Sequence, residues 1–218
     1  MDIAEAVEVR HSVRNYKEQP IPEDIIAKLN GMIGEINRES GLSVCLKLNE
    51  PAGFGGIKTR VTGFKNAVNY FAMIGPDDDS LNEKAGYYGE KLVIYSQQLG
   101  LNTCWAMLCN KKACAGDVKE GQRMAIGIAV GYGADQGSPH KNKDISKIAD
   151  MTDAPDWFVN GVRYAMLAPT GMNKQGFSFE RDGNKVRLIT KNTALAQVDR
   201  GIVRYHFELG AGKEFEWM

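Results

Sequence analysis

Residues 99–105 read Leu99-Gly100-Leu101-Asn102-Thr103-Cys104-Trp105, a helix end that turns directly into a strand. Upstream, Leu81 to Leu99 carries Leu92, Ile94, Tyr95 and Leu99 in a helical pattern, and Gly100 stands where a helix C-terminus favours a left-handed residue. Downstream, Thr103 to Met107 reads as a strand. Met124 to Tyr132 is an apolar run of strand length ending between Gly131 and Gly133, the pattern of a strand covered on both faces.

Working outward, Ile3, Ala6, Val7 and Val9 predict a short helix ending close to Arg10. Pro20 to Glu23 opens an amphipathic helix through Ile25, Ile26, Leu29, Met32, Ile33 and Ile36. Ser43 to Leu48 and Val68 to Ile74 are expected strands, separated by a long Gly- and Pro-rich loop from Glu50 to Gly63. Lys111 to Gln122 is polar with room for a short helix, and Ala134 to Asp144 is a polar loop. Asp150 to Asp156 suits a linker. A helix from Trp157 to Leu167 follows, and strands at 177–179 and 186–189 flank Arg181-Asp182-Gly183-Asn184, whose Asp-Gly pair signals a hairpin. Val198 to Leu209 reads as a last helix before a Gly-rich end. Helices and strands alternate without a regular βαβ count, so the expected class is α+β.

Lys+Arg and Asp+Glu stand at 27 each, so formal net charge is zero and no overall field draws the chain to nucleic acid or to a membrane surface. Any bound anion must be held by local groups. Cys45, Cys104, Cys109 and Cys114 lack the paired short spacing of a zinc site and are expected as reduced thiols. No metal site is expected. The N-terminus has no cationic start or apolar core of a secretory signal, and no apolar run approaches the roughly 20 residues of a membrane span, so a cytoplasmic protein is expected.

Three segments carry chemistry. Arg10-His11-Ser12-Val13-Arg14 packs two guanidinium groups, an imidazole and a hydroxyl into five residues after a helix. Arg donates in a planar fork and keeps its charge, which suits a phosphate or an electron-rich ring edge; a solvated basic turn is the alternative. Ala168-Pro169-Thr170-Gly171-Met172-Asn173-Lys174-Gln175 ends a helix in a polar loop, and the amides of Asn173 and Gln175 both donate and accept, matching a heterocycle edge. At Leu99 to Trp105, the side chains of Cys104 and Trp105 read as packing, while the backbone that follows is free for another role.

Together these segments resemble the FMN-dependent nitroreductases. That family shows an Arg-rich turn near the N-terminus, a Leu-Gly-Leu-x-Thr-Cys-Trp segment, a Gly-Tyr strand end followed by a basic loop, and an Ala-Pro-Ser-x-x-Asn-x-Gln loop. All four have counterparts between Arg10 and Leu209. The resemblance implies a nitroreductase-like fold with a mixed central sheet flanked by helices. It implies FMN as cofactor, NADH or NADPH as reductant, and ping-pong hydride transfer through flavin N5 to nitroaromatic, quinone or related acceptors, with no catalytic side chain required. Arg10, His11, Ser12 and Arg14 would contact the ribityl phosphate and pyrimidine edge. Ala106 and Met107 would offer a backbone N–H to N5, Ala replacing the usual Gly and narrowing the pocket. Lys141 and Lys143 would meet the phosphate, and Pro169, Thr170, Gly171, Asn173 and Gln175 would form the amide loop. Alternatives within the same resemblance are a redox carrier or sensor without turnover, and a relative specialised for enone reduction or dehalogenation.

The sequence departs from the family in one respect. The amide loop ordinarily lies one helix beyond the Arg turn, yet that region here is Arg38-Glu39-Ser40-Gly41-Leu42-Ser43, and the loop appears only at Ala168. Lys84-Ala85-Gly86-Tyr87-Tyr88 and Asp199-Arg200-Gly201-Ile202-Val203 both match the family's Asp-x-Gly-Ile helix start. In ordinary members the flavin sits between two subunits. The expectation is therefore a pseudo-dimer within one chain: residues 1–151 form a nitroreductase-like half, residues 152–218 act as a degenerate second subunit, and a monomer is favoured over a homodimer. Gly53 to Ile57, Tyr87 and Tyr88 are candidate covers of the flavin face. His206 is expected as a satisfied core histidine rather than a proton donor, and His140 as a bystander.

Overall fold

The computed structural model describes the backbone of residues 1–218 and every side chain except those of Lys58 and Arg60. Four strands form the larger sheet: β1 (Cys45–Lys47), β2 (Tyr70–Pro76), β3 (Asn102–Ala106) and β4 (Gln122–Gly131), in the order β1-β2-β4-β3. All three pairings are antiparallel. The parallel element comes at the β3 edge, where Ser12 bridges Thr103 and the Val13 N–H donates to the Thr103 carbonyl at 3.0 Å. The Arg10–Arg14 turn is thereby pinned beside the strand that ends at Ala106.

Helices pack on this sheet. After α1 (Ile3–Val9), α2 (Glu23–Ser40) buries Leu29, Ile33 and Ile36 and ends at Gly41, whose φ of 74° is the left-handed cap that glycine adopts without strain. A short α3 (Ile57–Val61) occupies part of the stretch expected as a plain loop. The long α4 (Leu81–Gln98) leads into β3 as the opening segment predicts. It buries Leu81, Ala85, Leu92, Val93 and Ile94, so apolar contact surrounds it on more than one face.

The C-terminal part adds α5 (Asp156–Leu167), the hairpin β5 (Phe177–Asp182) and β6 (Lys185–Thr190), α6 (Ala194–Ala211) and β7 (Glu216–Trp217). The hairpin turn falls one residue later than the Asp-Gly signal: Asp182 pairs with Lys185, and Gly183, at φ 59°, takes the first turn position. The Gly-rich end is not merely a tail, because β7 runs parallel to β6. Phe207 accounts for this: it lies against Phe179, Phe215 and Trp217 at ring-centroid distances of 4.7, 5.1 and 5.3 Å, and these contacts draw the chain end back onto the sheet.

One apolar core runs from Ile21 to Ala211 across the boundary expected at 151/152. Its tightest point is the crossing of α4 and α6. A Cβ at Gly86 would collide with the carbonyl of Val198, and a Cβ at Gly201 with that of Glu83. Only paired glycines let the two backbones approach so closely. Among the described residues no helix is long and apolar enough to cross a membrane.

Candidate functional site

A cleft in two lobes opens at the edge of β3. The larger share of its wall is apolar. Its inner lobe, about 300 Å³, is walled by Trp105, Ala106, Met107 and Leu108 on the strand side, by Ile126 beneath, and by Leu195, Val198, Asp199 and Ile202 from α6. Its outer lobe, about 400 Å³, is polar and includes Arg10, His11, Ser138, His140 and Asn173. Ser12, Arg14, Pro169, Thr170 and Met172 line both lobes, so the two adjoin. The N-terminal turn and the 168–175 loop thus face each other within one chain.

Each side of the cleft has a local cause. The turn is positioned by the Ser12–Thr103 bridge and by Tyr16, which bridges Gly133 while the Tyr16 N–H donates to the Lys65 carbonyl at 3.1 Å. The loop is tied to α6 by the Gly171 N–H, which donates to both oxygens of Asp199 at 3.0 and 3.2 Å. Met172 and Asn173 adopt positive φ of 54° and 52°. These are costly conformations that the surrounding hydrogen bonds must hold.

Arg14 is exposed, with its guanidinium carbon 6.0 Å from the centre of the Phe64 ring, and no carboxylate pairs with it among the described residues. An unpaired cation at the junction of the lobes is suited to an anionic ligand. Arg10 behaves differently. It is buried, its Nη2 donates to the Leu167 carbonyl at 3.4 Å, and its Nε lies 3.9 Å from Glu90. Burial lowers its affinity for a proton, and Glu90 and then Cys104 oppose that effect. Glu90, fully buried on α4, also accepts from Trp105 Nε1 at 2.9 Å and meets His206 Nε2 at 2.8 Å. This network ties the Arg turn, β3, α4 and α6 together beneath the cleft. His206 lies in it and not on the cleft wall.

Of the residues singled out in the sequence, Arg10, His11, Ser12, Arg14, Ala106, Met107, Pro169, Thr170, Gly171 and Asn173 line the cleft. Met107 follows the last laddered pair of β3, Ala106 with Gly127. Gln175, Lys141 and Lys143 do not line it. Gln175 is buried with its amide used inside the protein: it accepts from Lys143 N at 2.7 Å and donates to Asn142 Oδ1 at 2.8 Å and Met166 O at 3.1 Å. Lys143 Nζ donates to the Gln175 carbonyl at 2.8 Å, and the Lys141 carbonyl accepts from Asn173 Nδ2 at 2.9 Å. These three residues brace the loop. His140 contributes a ring nitrogen 2.9 Å from the Met166 carbonyl and one edge of the outer lobe.

The expected covers are displaced. Gly53 packs against the Tyr70 ring, and the segment lying over the inner lobe is instead Thr59, Thr62 and Phe64. Tyr87 and Tyr88 stand in a separate cavity of about 550 Å³ with Glu39, Ser80, Glu83, Lys84, Arg204 and Glu208, where Tyr87 donates to Glu208 at 2.5 Å. Burial, first, and then the bond to Glu208 push the Tyr87 phenol far above its ordinary range. Leu195, Val198, Asp199 and Ile202 were not foreseen as site residues. Their signal is the helical spacing of α6, which by itself does not separate a core face from a cavity wall.

The family described as "Putative TM nitroreductase" matches residues 2–211. Among curated proteins none matches. A solved structure of the same description from Thermotoga maritima is 21% identical, covering 96% of this chain and 83% of its own, with a TM-score of 0.71. An "FMN-dependent Nitroreductase" from Clostridium difficile is 18% identical, covering 66% of this chain and 95% of its own, at 0.53. A nitroreductase-fold structure "in complex with FMN" from Exiguobacterium sibiricum is 14% identical, covering 69% and 97%, also at 0.53. The helix-to-strand junction, the pinned Arg turn and the loop that meets it are accompanied by a family match over nearly the whole sequence, and the chain therefore belongs to this nitroreductase-like family.

Proposed function

We propose that this chain is an FMN-dependent oxidoreductase that uses NADH or NADPH to reduce nitroaromatic, quinone or related electron-poor acceptors. One observation carries the reading: the two-lobed cleft joins an apolar slot to a cationic mouth at Arg14, and both lobes share Ser12, Arg14, Pro169, Thr170 and Met172. The donor set fits the cofactor. A flat tricyclic ring needs an apolar slot, and a phosphate needs unpaired cations, hydroxyls and N–H groups. The inner lobe supplies Trp105, Met107, Ile126 and Ile202; the outer lobe supplies Arg14, Ser12, Ser138 and Asn173.

Bound FMN would supply hydride acceptance from the nicotinamide and hydride donation to the acceptor, in ping-pong order. The chain's own residues bind and tune. Arg14 offsets negative charge at the ring edge and on the phosphate, and the backbone at Ala106 and Met107 borders the slot. Thr59, Thr62 and Phe64 overlie it, and the apolar α6 wall excludes water.

In this reading residues 152–218 serve as a second subunit in cis. The reciprocal contact of Gly86 with Val198 and of Gly201 with Glu83 is the pattern of an isologous interface, here within one chain. The same sequence interval that relates Gly86 to Gly201 relates Ser80, Glu83, Lys84 and Tyr87 to Leu195, Val198, Asp199 and Ile202. The first four line the second cavity and the last four line the cleft. The second cavity is thus the cleft's counterpart, refilled with charge. The share of this chain covered by the Clostridium difficile and Exiguobacterium sibiricum folds, about two thirds, agrees with one ordinary subunit plus an added part.

The test is anaerobic titration of FMN-reconstituted protein with NADH or NADPH, followed by menadione or a nitroarene. Bleaching of the flavin by a nicotinamide and its recovery with the acceptor, repeated over many cycles, is expected. A flavin that binds but is reduced by neither nicotinamide favours the carrier reading, and a chain that holds no flavin overturns the proposal.

A further inference from the structure

Asp199 is a carboxyl group placed where an apolar wall is expected. It lies on α6 among Leu195, Val198 and Ile202, all of which border the inner lobe with it. Among the described residues its one hydrogen-bond donor is the Gly171 N–H, which sits between its two oxygens. No cation pairs with it among the described residues: its chain neighbour Arg200 is engaged by Glu83 at 3.1 Å and by the Leu188 carbonyl at 2.7 Å. Among the described residues the other ionisable groups around the inner lobe are Arg14, from the N-terminal turn, and the buried Cys104 thiol, from β3. Thr59 of α3 and Thr62 just beyond its end also line it, and the 169–172 loop contributes no charge.

A carboxyl in this setting is pulled two ways. Burial favours the neutral acid, the Gly171 N–H favours the anion, and burial is the larger effect, so the group is pushed up to about 6. The neutral form keeps one oxygen as acceptor for Gly171 and has an O–H to donate. A carboxylic acid held near neutrality in a cleft is the arrangement that general-acid catalysis requires.

We propose that Asp199 is a catalytic acid of this cleft, protonating an oxygen of a quinone-type acceptor as that acceptor is reduced. The proposal rests on the FMN reading above. In the balanced step, the reduced cofactor gives the acceptor a hydride, which carries two electrons and one proton. The hydride forms the O–H bond at one quinone oxygen; at the other, the Asp199 O–H bond breaks as an O–H bond forms, both C=O π bonds are lost as the ring becomes aromatic, and the product is the hydroquinone. The cofactor is left oxidised, the carboxylate takes its proton back from solvent, and NADH or NADPH supplies the next hydride.

The experiment separates the two half-reactions by stopped flow across pH 5–8 in wild type and Asp199→Asn, an exchange that keeps an acceptor for Gly171 and removes the proton. Reduction of the flavin by nicotinamide and flavin retention stay unchanged in the variant. Re-oxidation by menadione slows on the order of 100-fold at the acid end and loses its pH dependence. In wild type that rate falls as pH rises through the carboxyl's titration, which 13C NMR of labelled aspartate records near pH 6 in flavin-free protein. Re-oxidation in Asp199→Asn with the wild-type rate and profile overturns the proposal. If the variant folds poorly, a flat wild-type re-oxidation profile overturns it equally. A wild-type chain that binds no flavin, with the carboxyl still titrating near 6, overturns the cofactor reading and this step with it.

Discussion

Gly86 on α4 and Gly201 on α6 face one another where the two helices cross, and neither position has room for a Cβ. The contact is reciprocal: each glycine abuts the backbone three residues before the other. It holds the last long helix against the helix that feeds β3, and so sets the α6 wall at its distance from the strand.

Gly201→Ala is therefore expected to destabilise the fold by about 1–3 kcal/mol or more, because backbone faces the new methyl and cannot rotate away. Gly31→Ala, in α2 with nothing within 4 Å of the added carbon, is expected to stabilise by roughly 0.5–1 kcal/mol. Urea unfolding of the two variants checks the contrast; equal effects would mean that the crossing is not tightly packed.

Glu90 is the shared partner of the buried Arg10 and His206 and of the half-buried Trp105. Glu90→Gln leaves the Arg10 charge without compensation and is expected to cost about 3–5 kcal/mol, measured by chemical denaturation. Adding Arg10→Met recovers most of the loss, since a buried pair replaced by neutral groups is nearly balanced. Additive effects would show that the two side chains are not coupled.

Among the described residues Arg14 carries no ion pair, so Arg14→Ala leaves the melting temperature of flavin-free protein unchanged while FMN affinity falls about 10- to 100-fold, the range of one lost charge-assisted hydrogen bond. Lys141→Ala leaves both unchanged. Lys143→Ala lowers stability, because Nζ braces the Gln175 carbonyl. Fluorescence titration with FMN and thermal melts distinguish the three.

Asp199 also sets a stability slope. Its carboxyl is raised in the folded protein to about 6 from an ordinary 3.8, so the folded state holds the proton more tightly than the unfolded chain. That contribution is complete below about 4 and is lost as pH rises to about 6. Between those values Asp199→Asn is expected to flatten the decline of unfolding free energy with pH. A wild-type slope retained in the variant would assign the effect to another group.

Much of this was legible from residues alone. The α4-to-β3 junction follows from helical spacing closed by Gly100, and the two segments singled out at Lys84–Tyr88 and Asp199–Val203 contain the glycines that meet where α4 and α6 cross. What the sequence concealed depends on long-range packing. Two residues at the chain end became β7 only because Phe207 gathers Phe215 and Trp217. Gln175 has the composition of a ligand contact, yet burial directs its amide into the loop's own bracing. The α6 wall of the cleft has the spacing of a core face, and only the path of the 168–175 loop decides which part of that face lines a cavity.

In the proposed flavin site the Arg turn and the 169–173 segment come from the same molecule. Native mass spectrometry of FMN-reconstituted protein tests it most directly. One FMN on a single 24.0 kDa chain is expected. Flavin found only on a species of twice that mass, with single chains flavin-free, would contradict it.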